Sequence, residues 1–315
     1  PDIASGGTAY DVLKGHAAYD ISGVDWTQGQ HSPIVTDGSP SIETPVERTD
    51  DYSGPLADRV EAAAGALSNG GTVLIPGEKK RPWDRTVSIQ LNGRDISIVT
   101  PPNTTFDVQT SDWVLDVTGD GSFGFYGGIF FGNNEEPGWL TTDAPNVDIA
   151  PTQVTDFGAG YGVKAAPLSK GTYRVFDTQF LYVTDETSGP ACIEIGGAGC
   201  SQLLMSHIGI DSVSLGFRFD APIDDFHAMR IDSHPLRDNS TFAETNAELN
   251  GTWFNMKWEI YNNTSTTVFE NNTSSPANVV EPWIWHCDSG IEIWSGTKPN
   301  FFPGGAQKVM NKFEP

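Results

Sequence analysis

Basic residues are scarce in this chain. Eighteen lysines and arginines stand against 41 aspartates and glutamates, for a formal charge of −23 over 315 residues. Such a surface repels nucleic acid and anionic membranes, so neither is expected as a partner. Lysine alone numbers 9. Dense carboxylates hold water and ions, and high salt screens their mutual repulsion, so the excess points to a salt-rich setting and a halophilic host. Cysteine is nearly absent. Cys192, Cys200 and Cys287 stand at irregular spacing, which is no disulfide framework. Buried free thiols are the expectation, with one bridge between two of them left open. No apolar run approaches the roughly 18 residues of a membrane span. No signal-peptide pattern opens the chain, and Pro1 suits a removed initiator Met, so assembly inside a cell is expected. The histidines His207, His227, His234 and His286 form no HxH or HExxH arrangement. EF-hand spacing, a phosphate loop and a GxSxG elbow are also missing. No organic cofactor and no dedicated metal site is therefore expected, only loosely held cations such as Na, K, Mg or Ca.

Glycine and proline are abundant, at 34 and 21 residues, as suits a chain of many turns and short strands. The most legible stretch is 55–100. Leu56, Val60, Ala63, Ala64 and Leu67 share one face of a helix expected over about 55–68. Pro55 fits its first turn, where a missing N–H costs nothing. Asn69-Gly70-Gly71 ends it. Short strands are expected at Thr72–Ile75, Val87–Leu91 and Ile96–Thr100, each closed by turn residues.

A helix, then Gly-Gly-Thr-Val-Leu-Ile-Pro-Gly at 70–77, then strands broken by turns, resembles the opening of a right-handed parallel β-helix of the pectate-lyase type. The resemblance implies an all-β solenoid whose first coil is capped by the helix. That superfamily holds polysaccharide lyases, glycoside hydrolases, viral tailspikes and non-catalytic adhesins, so it implies a fold more firmly than an activity. On this basis the chain divides into an irregular attachment segment (1–52), a parallel β-helix (53–298) and a C-terminal cap (299–315).

A repeat supports the division. Gly162-Val163-Lys164-Ala165, Cys192-Ile193-Glu194-Ile195, Gly216-Phe217-Arg218-Phe219 and Gly290-Ile291-Glu292-Ile293 share one small-apolar-polar-apolar template, and Thr267-Val268-Phe269 matches it in part. First apolar positions at 163, 193, 217, 268 and 291 are spaced by one or two coils of about 24 residues. The aromatic run Phe123–Phe131 is expected to stack inside the solenoid. Residues 132–160, with Pro137, Pro145 and Pro151, look like a loop insertion.

Three groups of residues carry possible chemistry. The first runs from Asp220 to His234 and contains Asp224, Asp225, His227, Arg230 and Asp232. Asp224-Asp225 and Arg230-Ile231-Asp232 resemble the carboxylate pair and arginine element of β-helix polygalacturonases, which implies these five as catalytic residues if the chain is an enzyme. The Asn-Thr-Asp and Gly-His-Gly elements of that family are missing. Adjacent carboxylates on one strand point to opposite faces, so Asp224 and Asp225 pair only in a turn; otherwise the cluster is a solvated acidic turn. The second group is Trp283, Trp285 and Trp294, candidates for stacking on a sugar or packing in an interior. The third is a set of sequons at Asn103, Asn239, Asn250, Asn262, Asn263, Asn271 and Asn272, to be weighed against asparagines that merely serve turns.

The leading expectation is a virion surface spike or turret, tailspike-like, that adsorbs to a host surface glycoprotein or glycan. It would attach through 1–52 and close as a homotrimer, since cyclic closure avoids open-ended growth. Two alternatives stand beside it: a secreted polysaccharide lyase or glycoside hydrolase, and a cell-surface adhesin or structural glycoprotein, both extracellular.

Overall fold

The computed structural model describes residues 19–20, 34–35, 45–77, 80–158, 160–183, 190–233, 240–259, 266–280, 282–285 and 291–302. Its architecture is a parallel β-solenoid of about eight turns, with one α-helix among the described residues. One flank is a nine-stranded parallel sheet, from Val87–Gln90 to Ile291–Gly296. The other two flanks join into one 18-stranded sheet. They join because Gln202–Asp211 and Ile223–Ser233 each run unbroken round the corner that separates shorter strands in the other coils, such as Thr172–Phe176 and Gln179–Leu181.

Period-2 alternation explains the strands. Val87–Gln90 reads buried, exposed, buried, exposed. One inner column passes through Leu115, Leu140, Val163, Ile193, Phe217, Ala243 and Phe269, all buried and in direct register. Each coil alone would leave its apolar side wet, so the stack is what buries it. The aromatic run divides between inside and outside, with Tyr126 half-buried and Phe131 40% exposed. Phe123, Phe125 and Phe130 are buried, and Phe130 stacks on Phe106 at 4.6 Å with Trp83 and Trp139 edge-on or tilted nearby.

The helix α1 spans Leu56–Ala66 and buries Leu56, Ala57, Val60, Ala63 and Ala64. It packs on Gly71–Leu74 and Val87–Gln90, closing the first coil. Gly70 lies at φ +87°, and a Cβ there would meet the Asp95 carbonyl oxygen at 2.6 Å, so only glycine fits this turn. Arg85 ties the helix to the second coil. Its guanidinium donates to both oxygens of Glu61, at 2.8 and 2.6 Å, and to Asp58. Burial pushes the Glu61 carboxyl up, but the Arg85 hydrogen bonds and the Ser88 N–H outweigh it and leave the carboxyl below its usual range. A depressed carboxyl contributes stability above its unfolded pKa and loses it as pH falls through the folded value. Glu61→Gln is therefore expected to cost about 1 kcal/mol at neutral pH, since the pair is half exposed. The cost should shrink as pH falls through the carboxylate range and vanish once folded Glu61 is protonated, which chemical denaturation at neutral and at acid pH measures.

Three sequence expectations need correction. Residues 132–160 are not a loop insertion but most of a coil, with strands Gly138–Thr142, Asn146–Ala150 and Gln153–Thr155. The prolines mark its corners, while Trp139, Leu140, Val147, Ile149 and Val154 fill the core. The repeat register runs through Phe269 and Trp294, not Val268 and Ile291. Val268 and Phe269 are both buried, so alternation fails there and the template slips. The third concerns Thr72–Ile75: the strand there spans Gly71–Leu74, paired with Val46–Arg48, and at the other end Asn300–Phe302 pairs with Asn278–Val280. Cys192 and Cys200 are free and buried as expected, and burial pushes both thiols up, Cys200 to about 12. Cys287 and most of the attachment segment and cap lie outside the described residues.

Candidate binding face

The structure divides the Asp220–His234 cluster around a corner. Ile223 pairs with Leu249 but Phe226 pairs with Gly251, so Asp224 and Asp225 together oppose Asn250 in a β-bulge. The bulge breaks the alternation, and Asp224 is exposed while Asp225 is half-buried. Asp224 accepts a hydrogen bond from Lys170 at 2.6 Å. Asp225 accepts one from Gln202 at 2.8 Å and lies 2.8 Å from His227 Nε2. The Gln202 hydrogen bond and the His227 imidazole hold the Asp225 carboxyl below the usual carboxylate range. A glycosidase acid needs the opposite shift, so Asp225 is suited to ion pairing rather than to protonating a leaving group. Arg230 sits at the corner itself, and Asp232 lies on the next flank, 3.3 Å from Lys257. His234 lies outside the described residues.

Four residues of successive coils form that corner: Asp177, His207, Arg230 and Asn255. All have positive φ, at 50°, 56°, 54° and 49°. The flanking pairs Phe176–Ser206–Met229–Phe254 and Gly209–Asp232–Lys257 place them in register. His207 Nδ1 lies 2.8 Å from Ser206 Oγ and 3.8 Å from Asp177. Arg230 lies 3.0 Å from His207 Nε2. Guanidinium only donates, so Nε2 is the acceptor and the imidazole proton belongs on Nδ1.

On one side of this corner runs a column of mostly apolar residues, interrupted by the buried Ala150 and the buried, polar Ser206. Val99, Tyr126 and Ala150 are in register, and so are Phe176, Ser206, Met229, Phe254 and Val280. Met229 and Phe254, adjacent rungs, are 46% and 39% exposed. On the other side lies an open groove of about 510 Å³, lined by His207, Gly209, Asp211, Arg230, Asp232 and Lys257 among others. Neither feature is legible from spacing alone, because each draws one residue per coil. The usable signal is the pairing of 202–211 with 223–233, which sets His207 beside Arg230 at a separation of 23 residues.

The tryptophans divide as well. Strand register pairs Trp283 with Lys257 and Trp285 with Glu259. Trp294 is half-buried against the core, with Lys298 Nζ 4.8 Å from its ring centre. Among the sequons, Asn103 and Asn250 are exposed. Asn271 is buried, donates to the Ser275 carbonyl and accepts from Thr273. Asn272 is exposed but donates to Asn246, which donates to Asp220, both at 2.7 Å, a ladder that caps successive turns. Asn239, Asn262 and Asn263 lie outside the described residues. No cluster of three or more metal-ligating side chains occurs among the described residues. No family model, curated protein or solved structure matches this chain.

Proposed function

We propose that this chain is an adsorption protein, a solenoid spike that engages a glycan or glycoprotein of a cell surface along one flank. The observation that supports it is the pairing of two exposed apolar side chains on adjacent rungs, Met229 and Phe254, with a groove across one corner whose mixed lining carries Arg230, Asp232 and Lys257. Sugar rings present apolar C–H faces and polar hydroxyl edges, so they bind where an apolar ridge borders hydrogen-bonding groups. A strongly acidic chain gains nothing in solubility by exposing these two, and adjacent exposed apolar side chains on such a surface mark contact sites. The setting proposed is a virion of a halophilic archaeal host, with residues 1–52 as the attachment segment and a homotrimer as the particle.

The test uses the double variant Met229→Glu, Phe254→Glu and purified cell-envelope glycoprotein layers from halophilic archaea. Both positions face water, so the melting temperature is expected to change by no more than a few degrees. Adsorption should fall at least tenfold. Undiminished adsorption of the double variant, or none by the wild type, would count against an adsorption role.

A further inference from the structure

We infer that Asn103 is a glycan attachment site, whose side-chain amide nitrogen takes a saccharide from a polyprenyl-phosphate donor. The inference stands apart from the adsorption reading. Three observations carry it.

The first is the shape of one corner. Val99 pairs with Tyr126 and Thr105 with Ile129, so residues 100–104 turn the corner that Gly127-Gly128 turn in the next coil. Pro151-Thr152 turn it in the coil after that, between Ala150 and Gln153. Thr100 and Thr104 keep to the corner. The Thr100 N–H donates to the Tyr126 carbonyl at 2.8 Å, the Thr104 carbonyl accepts from the Ile129 N–H at 2.9 Å, and both threonines are 1% exposed. Pro101, Pro102 and Asn103 are the surplus over the other coils, and they stand out as a tip between these two buried feet. The Thr104 N–H closes the turn on the Pro101 carbonyl at 3.0 Å, with Pro102 and Asn103 as its central residues. Two prolines stiffen the tip, and Asn103 is exposed on it.

The second is that the turn does not account for an asparagine there. Asparagine serves turns by bonding nearby backbone or by entering the left-handed region. Asn133, Asn134 and Asn146 each accept a backbone N–H, and Asn92 and Asn255 hold positive φ. Asn103 does neither. Its φ is not in the left-handed region, and its side chain has no hydrogen-bond partner among the described residues. What does account for it is Asn103-Thr104-Thr105, an acceptor tripeptide presented on a surface turn.

The third is the contrast with the other described sequons. Asn250 lies inside the strand Leu249–Phe254. A Cβ on the next residue, Gly251, would meet the Phe226 carbonyl oxygen at 1.8 Å, so the backbone is pressed against the preceding coil and cannot bend into an enzyme's cleft. Asn271 is buried, and Asn272 is held in the ladder with Asn246. Asn103 alone among them joins exposure, a projecting turn and an unengaged amide. The transfer is redox-neutral. Nδ2 forms a bond to the anomeric carbon and gives up one proton, the bond from that carbon to the phosphate oxygen breaks, and the lipid phosphate leaves with the electron pair. The reaction places the chain, at some stage, on the membrane face where such donors are displayed.

The experiment has two arms. Peptides of the full chain isolated from its source are weighed by mass spectrometry, and the Asn103 peptide should be heavier by a saccharide. In the second arm the unmodified full chain, made in bacteria, is treated with a purified single-subunit archaeal oligosaccharide transferase and its lipid-linked donor, once folded and once as a proteolytic digest. In the folded chain Asn103 should be occupied at least tenfold more than Asn250, Asn271 or Asn272. In the digest that preference should collapse, because the strand and the ladder are gone. Asn103→Gln should remove the modified form of that peptide and move the melting temperature by no more than about 2 degrees, since the side chain holds nothing. A bare Asn103 in the isolated chain would overturn the inference. So would equal occupancy of Asn103 and Asn250 in the folded chain, or an Asn103 modified in the digest but untouched in the folded chain. A large drop in melting temperature for Asn103→Gln would return the residue to the turn. Loss of envelope adsorption in the Met229→Glu, Phe254→Glu variant is independent of all these outcomes.

Discussion

Trp253→Ala is expected to destabilise the chain by about 3–5 kcal/mol, the range for emptying a buried indole from a well-packed core. Trp253 is 1% exposed and is ringed by five phenylalanines. Its centroid lies 4.6 Å from Phe226, 5.5 Å from Phe217, 5.7 Å from Phe242, 6.0 Å from Phe269 and 6.2 Å from Phe219. These rings come from three coils and more than one flank, so one side chain joins rungs that otherwise meet only through their strand edges. In a solenoid, stability is close to a sum over neighbouring coils, and a hole in the middle uncouples what lies beyond it. The alanine variant should therefore lose its C-terminal coils first, visible as early proteolytic cleavage beyond residue 240 and a lower midpoint in thermal circular dichroism. Trp253→Phe is the control. The indole N–H has no acceptor among the described residues, so phenylalanine removes an unpaired donor along with some volume. Its loss should stay below about 2 kcal/mol. Equal midpoints for wild type and alanine variant would show that the cluster contributes little.

How far the sequence carries can be read from particular residues. The capping helix was legible because five apolar positions, a proline and a glycine pair all agreed, and all five positions are buried in the structure. The coil from Ile193 to Phe217 was legible because each rung alternates cleanly behind a small residue. The template fails at Phe242-Ala243-Glu244-Thr245, where two buried apolar residues are adjacent and no glycine leads the rung. The same doubling at Val268-Phe269 moved the template by one position. The coil at 138–155 was hidden by prolines that mark corners rather than a loop. The binding face was hidden for a different reason. Asp177, His207, Arg230 and Asn255 are separate residues of separate coils, and only the register, which depends on coil lengths that vary, brings them together. Asp224 and Asp225 were legible as a cluster, but the bulge that turns both outward depends on the partner strand, which the two residues do not reveal.

The charge pattern leads to the last expected result. On the outer side of the nine-stranded sheet, Lys164, Glu194, Arg218, Glu244 and Glu270 occupy one column, rung over rung. Neighbouring strands lie about 4.8 Å apart, so stacked like charges there repel. Arg218 resolves the column by bridging, 3.3 Å from Glu194 and 3.0 Å from Glu244. Burial works against its charge, but the hydrogen bond to Glu244 and the flanking carboxylates outweigh it and hold its proton more tightly than usual. Glu194 is 8% exposed, so without Arg218 it is left mostly desolvated beside Lys164, 3.7 Å away, with Glu244 and Glu270 stacked beyond the gap. Arg218→Gln keeps the inner part of the stem and one amide donor, but removes the charge together with the guanidinium that spans Glu194 and Glu244. It is expected to cost about 2–3 kcal/mol at low salt, less than a fully buried pair because one-fifth of the arginine side chain is exposed. The residual repulsion among carboxylates is screened within about 3 Å at 1 M salt, so molar salt should recover a good part of the loss. Denaturant midpoints for wild type and variant across a salt series measure both effects. A loss of the full size that stays constant from low to molar salt would mean that packing of the arginine stem, and not the alternation of charge along the column, is what the sheet depends on at this rung.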